Sequence, residues 1–286
     1  MVMTTDSFVV TPLFFPGGDI GKLSVCGTVN DLATAGAFPA ALSVGLIIEE
    51  GFPISDLKRV LVSMKKTADS VPVPLITGDT KVVEKGRGDG IYISTAGVGA
   101  VRPGIELSPT RITKGDAVII SGPVGNHEAS ILSARNDLSL GTHIESDCAP
   151  LSNLMQAVIE AVPEARCARD PTRGGVAAVL CELAESAKCD ISIDEEAIPV
   201  DEEVQGLCDI LGLDPLQMAN EGKMIVIVPG NKVEACLNAM KSIDAGRGSV
   251  KIGEIHVGSG RLTMKTAYGT SRIITMPVGN QLPRIC

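Results

Sequence analysis

The sequence predicts two domains of α/β or α+β class joined by a turn-rich boundary. Three observations carry this reading. The chain has 286 residues, more than a single core usually organises. Strand-like and helix-like stretches mix along it without strict βαβ alternation. One segment, RPGIELSPTRITKGD (102–116), gathers prolines and turn residues between two periodic regions. The divisions read as 1–108, 109–275 and a tail, 276–286. Hydrophobic residues make up 44% and charged ones 21%, an ordinary globular composition, and with aromatics at 2% the core must be aliphatic.

Element by element, MTTDSFVV reads as a strand and GDIGKLSVCGTVNDLATAGAF as a helix bounded by glycines. PAALSVGLIIEE is a second strand, and SDLKRVLVSMKKTADSV (55–71) a helix with Ser55 as its cap. VPLITGDTKVV and GIYISTAGVGAV are β-rich around the turn EKGRGDG, whose Arg-Gly-Asp is read as coincidence. Beyond the boundary, AVIISGPVG is a strand, PLSNLMQAVIEAV a helix, and DPTRGGVAAVLCELAESAK a helix introduced by Gly-Gly. DISID and MIVIVPG read as strands, KVEACLNAMKSI as a helix, and SVKIGEIHV with RLTMK as a late hairpin. The last ten residues, PVGNQLPRIC, have no helical period; extended, they could span about 33–36 Å as a mobile arm.

Several function classes are excluded. A net charge of −9 argues against nucleic acid. The acidic stretch DEEAIPVDEEV (194–204) reads as a solvated face. The uncharged run 35–48 is broken by Pro39 and too short for a membrane span, and MVMTTDSF lacks the basic region of a signal peptide. A cytoplasmic protein is expected. Its eight cysteines contain no C-x-x-C pair and read as reduced, mostly buried thiols. Cys286 is the exception, an oxidisable thiol on the terminus itself; a C-a-a-X lipid signal would need it four residues from the end.

No P-loop and no G-x-G-x-x-G is present. Instead single aspartates recur at strand ends and helix starts beside Gly, Asn or Thr: Asp6, Asp31, Asp79 and Asp170. Hard carboxylate oxygens of this kind could hold Mg²⁺ on nucleotide phosphates. Each is also an ordinary turn or cap residue. Glu221 in NEGKM reads as a turn residue on spacing alone, with a base as the alternative. Lys81 is either solvated or a phosphate neutraliser, and His127 either a proton shuttle or a satisfied histidine.

Taken in order, DSFVVTPLFFPGGDIGKLSVCGTVNDLA, GDTKVV, RDPTRGG, GLDPLQMANEGK and the terminal PRIC resemble the HypE family of nickel–iron hydrogenase maturation factors, over residues 4–286. The family belongs with aminoimidazole ribonucleotide synthetase and selenophosphate synthetase, which bind ATP without a P-loop. The resemblance implies an N-terminal α/β domain that forms a β-barrel with a second copy in a homodimer, a C-terminal α+β domain, an ATP cleft and a flexible tail. It implies that Cys286 receives a carbamoyl group from a HypF-type carbamoyltransferase. The S-carboxamide is then dehydrated with ATP to an S-cyanate, and the cyano group passes to iron on the HypC–HypD complex. By motif matching, Asp6, Asp31, Asp79 and Asp170 would hold Mg²⁺ and ATP, with Thr80 beside them. Lys81 would stabilise the transferred phosphoryl group, and Glu221, or less directly His127, would take amide protons.

Two departures stand out. The family carries a longer, glycine-rich segment before the equivalent of TTDS; weaker ATP binding is the expectation if that segment covers the phosphates. GNHE replaces the family's Gly-Asp-His-Gly, changing the charges around His127. The rival readings are a selenophosphate synthetase-type enzyme, which usually carries a reactive Cys or selenocysteine in an N-terminal glycine-rich loop, and a non-catalytic scaffold whose C-terminal peptide docks a partner.

Overall fold

The computed structural model describes residues 1–136, 144–279 and 285; the terminal Cys286 lies outside them. The N-terminal region runs β1 (Val2–Phe8), β2 (Phe14–Phe15), β3 (Gly18–Asp19), α1 (Ile20–Thr34), β4 (Ala37–Glu49), α2 (Ile54–Ser70), β5 (Leu75–Val83) and β6 (Ile91–Val101). Its main sheet is four-stranded in the order β1-β6-β4-β5, antiparallel except for the β4–β5 pair. Alternation along β1 turns Thr4, Asp6 and Phe8 to one face. Phe8 enters the core and the Thr4 hydroxyl donates to Asp31 on α1 at 2.7 Å.

Helix α1 is buried on almost every side, as a helix without a polar face must be. Asp19 caps it, accepting from the N–H groups of Gly21 and Lys22 at 2.7 and 3.1 Å. Leu57, Val60, Met64 and Ala68 give α2 its apolar stripe against this layer. The expected cap at Ser55 does not form: Pro53 occupies the cap position and makes no side-chain cap bond.

The single chain presents an open sheet rather than a closed barrel. Strand β5 is an edge strand exposed along nearly its whole length, with Ile76 66% and Val82 68% accessible. An apolar edge left in water is a template for pairing with another strand.

The C-terminal region contains β7 (Asp116–Ile120), α3 (Asn126–Asn136), α4 (Ser152–Ala161), β8 (Cys167–Arg169), α5 (Gly175–Ala187), β9 (Cys189–Asp194), α6 (Glu202–Leu211), β10 (Ile225–Pro229), α7 (Val233–Lys241), β11 (Val250–Val257), β12 (Leu262–Lys265) and β13 (Ser271–Ile274). A seven-stranded sheet runs β13-β12-β9-β11-β7-β10-β8. Its central strands read as continuous apolar runs because both faces are covered. Val118, Ile120, Ile225 and Ile227 pack towards α5, while Ile119, Val226 and Val228 pack towards α4 and α7.

The expected hairpin of β11 and β12 does not exist. Both strands flank β9, and β12 lies parallel to it. The Asp190 carboxylate accepts N–H bonds from Ser259, Gly260 and Arg261 at 2.8–3.1 Å, hooking the connection over the end of β9. The hairpin is instead β12 with β13. Helix α6, within and beyond the acidic stretch, buries Val204, Leu207 and Cys208 while Glu202 and Glu203 face solvent.

The two regions share apolar packing. The core around α1 takes in Ile131, Cys148, Ala219 and Ile285 along with the N-terminal residues. Among the described residues no helix is long and apolar enough to cross a membrane.

Candidate functional site

Three of the four sequence-predicted aspartates converge. Asp6 from β1, Asp31 from α1 and Asp170 from the turn after β8 line one cavity of about 190 Å³, together with Glu221 from the loop before β10. Thr5, Ser7, Gly27, Thr172 and Arg173 complete its walls. The DPTRGG turn is held tightly: a Cβ on Gly175, at φ +60°, would lie 2.5 Å from the carbonyl oxygens of Leu216 and Met218. That contact presses the start of α5 against the segment leading to Glu221.

Burial is the main cause that raises the carboxyl pKa of every one of these acids. For Asp6 the Ser7 N–H opposes it and the Asp31 charge adds to it. For Asp31 the Thr4 hydroxyl and the Arg169 charge oppose it. Asp170 is pushed up to about 6, with Asp31 as the next contributor. Glu221 is raised well above the usual carboxylate range, its neighbours Cys148, Asp170, Asp147 and Asp6 adding to its burial.

Clustered hard oxygen donors that repel one another suit a divalent cation. Among the described residues no three His, Cys, Asp or Glu side chains converge closely enough to hold a metal by themselves. A Mg²⁺ ion here would complete its shell with substrate oxygens and water, the usual habit of that ion.

Asp79 and Lys81 stand apart from this cavity. They lie exposed on β5, with Lys81 Nζ 3.2 Å from Asp79 Oδ2 and the Thr80 N–H donating to Asp79 Oδ1 at 2.9 Å. Lys81 and then the Thr80 N–H hold the Asp79 carboxyl below its ordinary value. Both side chains line a second concavity of about 360 Å³ with Gly45, Ile47, Tyr92 and Ser94. Ser7 and Phe8 border both hollows, so the two are neighbours across β1.

His127 is not among the residues that line the acidic cavity. It is fully buried in the first turn of α3, edge-on to Phe15 with ring centroids 5.5 Å apart. Its Nε2 donates to the Ile285 carbonyl at 2.7 Å and its Nδ1 accepts from the Ser146 hydroxyl at 2.8 Å. This assignment follows because a carbonyl can only accept. Burial pushes the imidazole pKa down, against the Asp147 charge and the Ile285 carbonyl. Ile285 is 7% exposed, packed in the core around α1. Cys286 falls outside the described residues.

Sequence reasoning missed Thr5, Ser7, Thr172 and Arg173 as cavity walls, although all lie within quoted motifs. It also missed the side chains that hold the Glu221 loop. Asn30 bonds Ala149, Leu151 and Glu221 backbone groups, and Asp147 accepts the N–H groups of Glu221 and Gly222. Asn30 adjoins Asp31, a signal that was available; Asp147 carried none.

A two-domain α/β architecture with an acidic cavity between the domains is that of the AIR synthase related proteins. Residues 1–101 match the N-terminal domain of that family and residues 113–265 its C-terminal domain. The chain is 50% identical over 287 residues to carbamoyl dehydratase HypE of Rhodobacter capsulatus, covering 100% of this chain and 84% of that protein. It superposes on a chain of a crystal structure of a HypE–HypF complex with a TM-score of 0.94 at 47% identity, covering 96% of this chain and 90% of the other. Against a crystal structure of HypE in complex with ATP the TM-score is 0.96 at 42% identity, covering 99% and 86%. The chain belongs to the HypE family of hydrogenase maturation proteins, an enzyme family whose members in Rhodobacter capsulatus, Azotobacter vinelandii and Escherichia coli are named carbamoyl dehydratases.

Proposed function

We propose that this chain uses ATP to dehydrate an S-carboxamide on Cys286 to an S-cyanate, the source of cyanide ligands for the iron of nickel–iron hydrogenase. The observation that carries this reading is the seat of Ile285. The residue before the terminal thiol is buried, and its carbonyl is held by His127 in the same core that contains Ala219, two residues before Glu221. The ATP complex and the HypF complex of close relatives support the nucleotide and the partner.

A HypF-type carbamoyltransferase loads the amide, and the HypC–HypD complex receives the cyano group. The amide oxygen takes the γ-phosphoryl group as the bond to the β-phosphate breaks, giving ADP. Glu221 takes one amide proton; a carboxyl raised by burial is a stronger base once ionised. The C–O bond then breaks, inorganic phosphate leaves carrying the second amide proton, and the nitrile forms. Tethering the amide makes the encounter intramolecular, worth about 7–11 kcal/mol in well-oriented cases.

Asp6, Asp31 and Asp170 would hold Mg²⁺, which when bound neutralises phosphate charge. Asp79 and Thr80 would extend the nucleotide site, and Lys81 would steady the transferred phosphoryl group from the neighbouring hollow. His127, with both ring nitrogens engaged, is assigned to the tail seat rather than to proton transfer. The tail leaves that seat to meet its partners. The exposed β5 edge is where a second copy would pair to close a dimeric barrel. The seven described cysteines are all free thiols, in keeping with work in the cytosol.

The test is intact-protein mass spectrometry after loading with HypF, carbamoyl phosphate and ATP. A carbamoyl adduct mapped to Cys286 that loses one water only with Mg²⁺–ATP is the expected result. An unmodified Cys286 would leave the chain as a scaffold and refute the reading.

A further inference from the structure

Glu221 makes its way into the acidic cavity from a loop, and loops rarely hold a reacting group to within half an ångström unaided. Here the loop is tied from three directions. The Asn30 side chain, 1% exposed, makes all three of its hydrogen bonds to backbone. Its Nδ2 donates to the carbonyls of Ala149 (3.1 Å) and Glu221 (3.2 Å), and its Oδ1 accepts from the Leu151 N–H at 2.7 Å. Asn30 immediately precedes Asp31, so one turn of α1 sets the spacing between a cavity carboxylate and the backbone that carries the opposite one.

Asp147 grips the same loop from another side. Its Oδ1 accepts from the Glu221 N–H and its Oδ2 from the Gly222 N–H, each at 3.2 Å, while Lys223 Nζ lies 3.5 Å from Oδ2. The approach is so close that a Cβ on Gly222 would stand 1.8 Å from the Asp147 carbonyl oxygen. The third tie is Asn220. Its N–H and Nδ2 both donate to the Pro171 carbonyl at 3.0 Å, and its Oδ1 accepts from Gly125 at 2.8 Å. Pro171 follows Asp170 directly. Each of the ties from Asn30 and Asn220 therefore begins beside a cavity carboxylate.

We propose that Asn30 and Asp147 are positioning residues for the dehydration step: they touch neither nucleotide nor amide, and act by holding Glu221 at a set distance from Asp31 and Asp170. The inference rests on the assignment of Glu221 as the group that takes an amide proton. A backbone displacement of an ångström at such a group costs up to about 100-fold in rate. Binding of Mg²⁺–ATP, which uses the carboxylates and not the loop, should be spared.

The experiment is a single-turnover measurement on the full chain, carbamoylated at Cys286 beforehand, with water loss followed by mass spectrometry over a range of ATP concentrations. Wild type, Asn30→Ala, Asp147→Ala, Asp147→Asn and Gly222→Ala are compared, with melting temperature recorded for each. The expected result is a maximal rate lowered about 10- to 100-fold in Asn30→Ala, Asp147→Ala and Gly222→Ala. The ATP concentration for half-maximal rate should stay within about two-fold, and Asp147→Asn, which keeps one acceptor oxygen, should recover part of the loss. Gly222→Ala is informative because it removes no polar group and only forces the loops apart. Unchanged rates would overturn the proposal. So would a loss that follows ATP affinity or melting temperature across the variants. If the wild-type adduct itself loses no water, the underlying reading of the function fails instead.

Discussion

His127 Nε2 and the carbonyl oxygen of Ile285 are 2.7 Å apart, a hydrogen bond made out of water between a helix start and the penultimate residue of the chain. Removing it should release the tail. In His127→Ala, the Ile285 carbonyl loses its donor and the Ser146 hydroxyl loses its acceptor while still accepting from the Cys148 N–H, at a cost of about 1–3 kcal/mol if the carbonyl remains buried. Faster carboxypeptidase trimming of the C-terminus is expected, with carbamoylation by HypF retained. Hydrogen exchange at Ile285 that matches wild type would contradict this.

The same histidine makes stability depend on pH. Burial holds its pKa below the ordinary 6.5, so the unfolded chain binds the proton more readily than the folded one. Its contribution is present above pH 6.5 and is lost as pH falls from there through the lowered folded value. The melting temperature of the wild type should decline over that window more steeply than that of His127→Gln, which cannot titrate. Equal slopes would show that other groups govern the acid limb.

Asp31 lies where the Thr4 hydroxyl, the cavity and the Asn30 tie meet. Asp31→Asn keeps the shape and removes a charge that raises the Asp170 carboxyl. The fold should survive with little change in melting temperature, carbamoylation of Cys286 should proceed, and ATP-driven water loss should fall below detection. Turnover at the wild-type rate would remove Asp31 from the site.

Chelation provides a complementary check on the carboxylate cluster. Treating the carbamoylated chain with EDTA before adding ATP should leave the adduct intact, and added Mg²⁺ should restore water loss. A reaction insensitive to EDTA would mean that Asp6, Asp31 and Asp170 serve no metal.

Ile76 and Val82 are exposed on the unpaired β5 edge. Ile76→Glu should shift the mass measured by light scattering from dimer to monomer with its helical circular dichroism signal unchanged. A wild type that is already monomeric at micromolar concentration would remove the barrel from the proposal.

Where the chemistry is local, the chain could be read directly. The apolar spacing of α2, the continuous runs of β7 and β10 and the double glycine opening α5 all follow from neighbours within a few residues. Asp6, Asp31, Asp170 and Glu221 each sit in a short motif, but spacing alone leaves the aspartates as turn or cap residues and Glu221 as a turn residue, and only the family resemblance implies their roles. The hairpin assigned to β11 and β12 failed because strand partnership is decided at long range. Asp190, about seventy residues earlier, captures three N–H groups and redirects the connection. Asp79 reads like the other aspartates in its sequence neighbourhood, yet β5 carries it to an exposed edge outside their cavity.

Residue chemistry and element type were therefore written in the order of the amino acids, since periodicity, capping and turn preference act over a single turn or strand. The convergence of three aspartates with Glu221, the seat that His127 makes for Ile285, and the bonds from Asn30 and Asp147 join residues up to 215 positions apart, the separation of Asp6 and Glu221. Such distances close only when α1 is buried between the two domains, and no local preference encodes which backbone groups then fall within hydrogen-bonding reach.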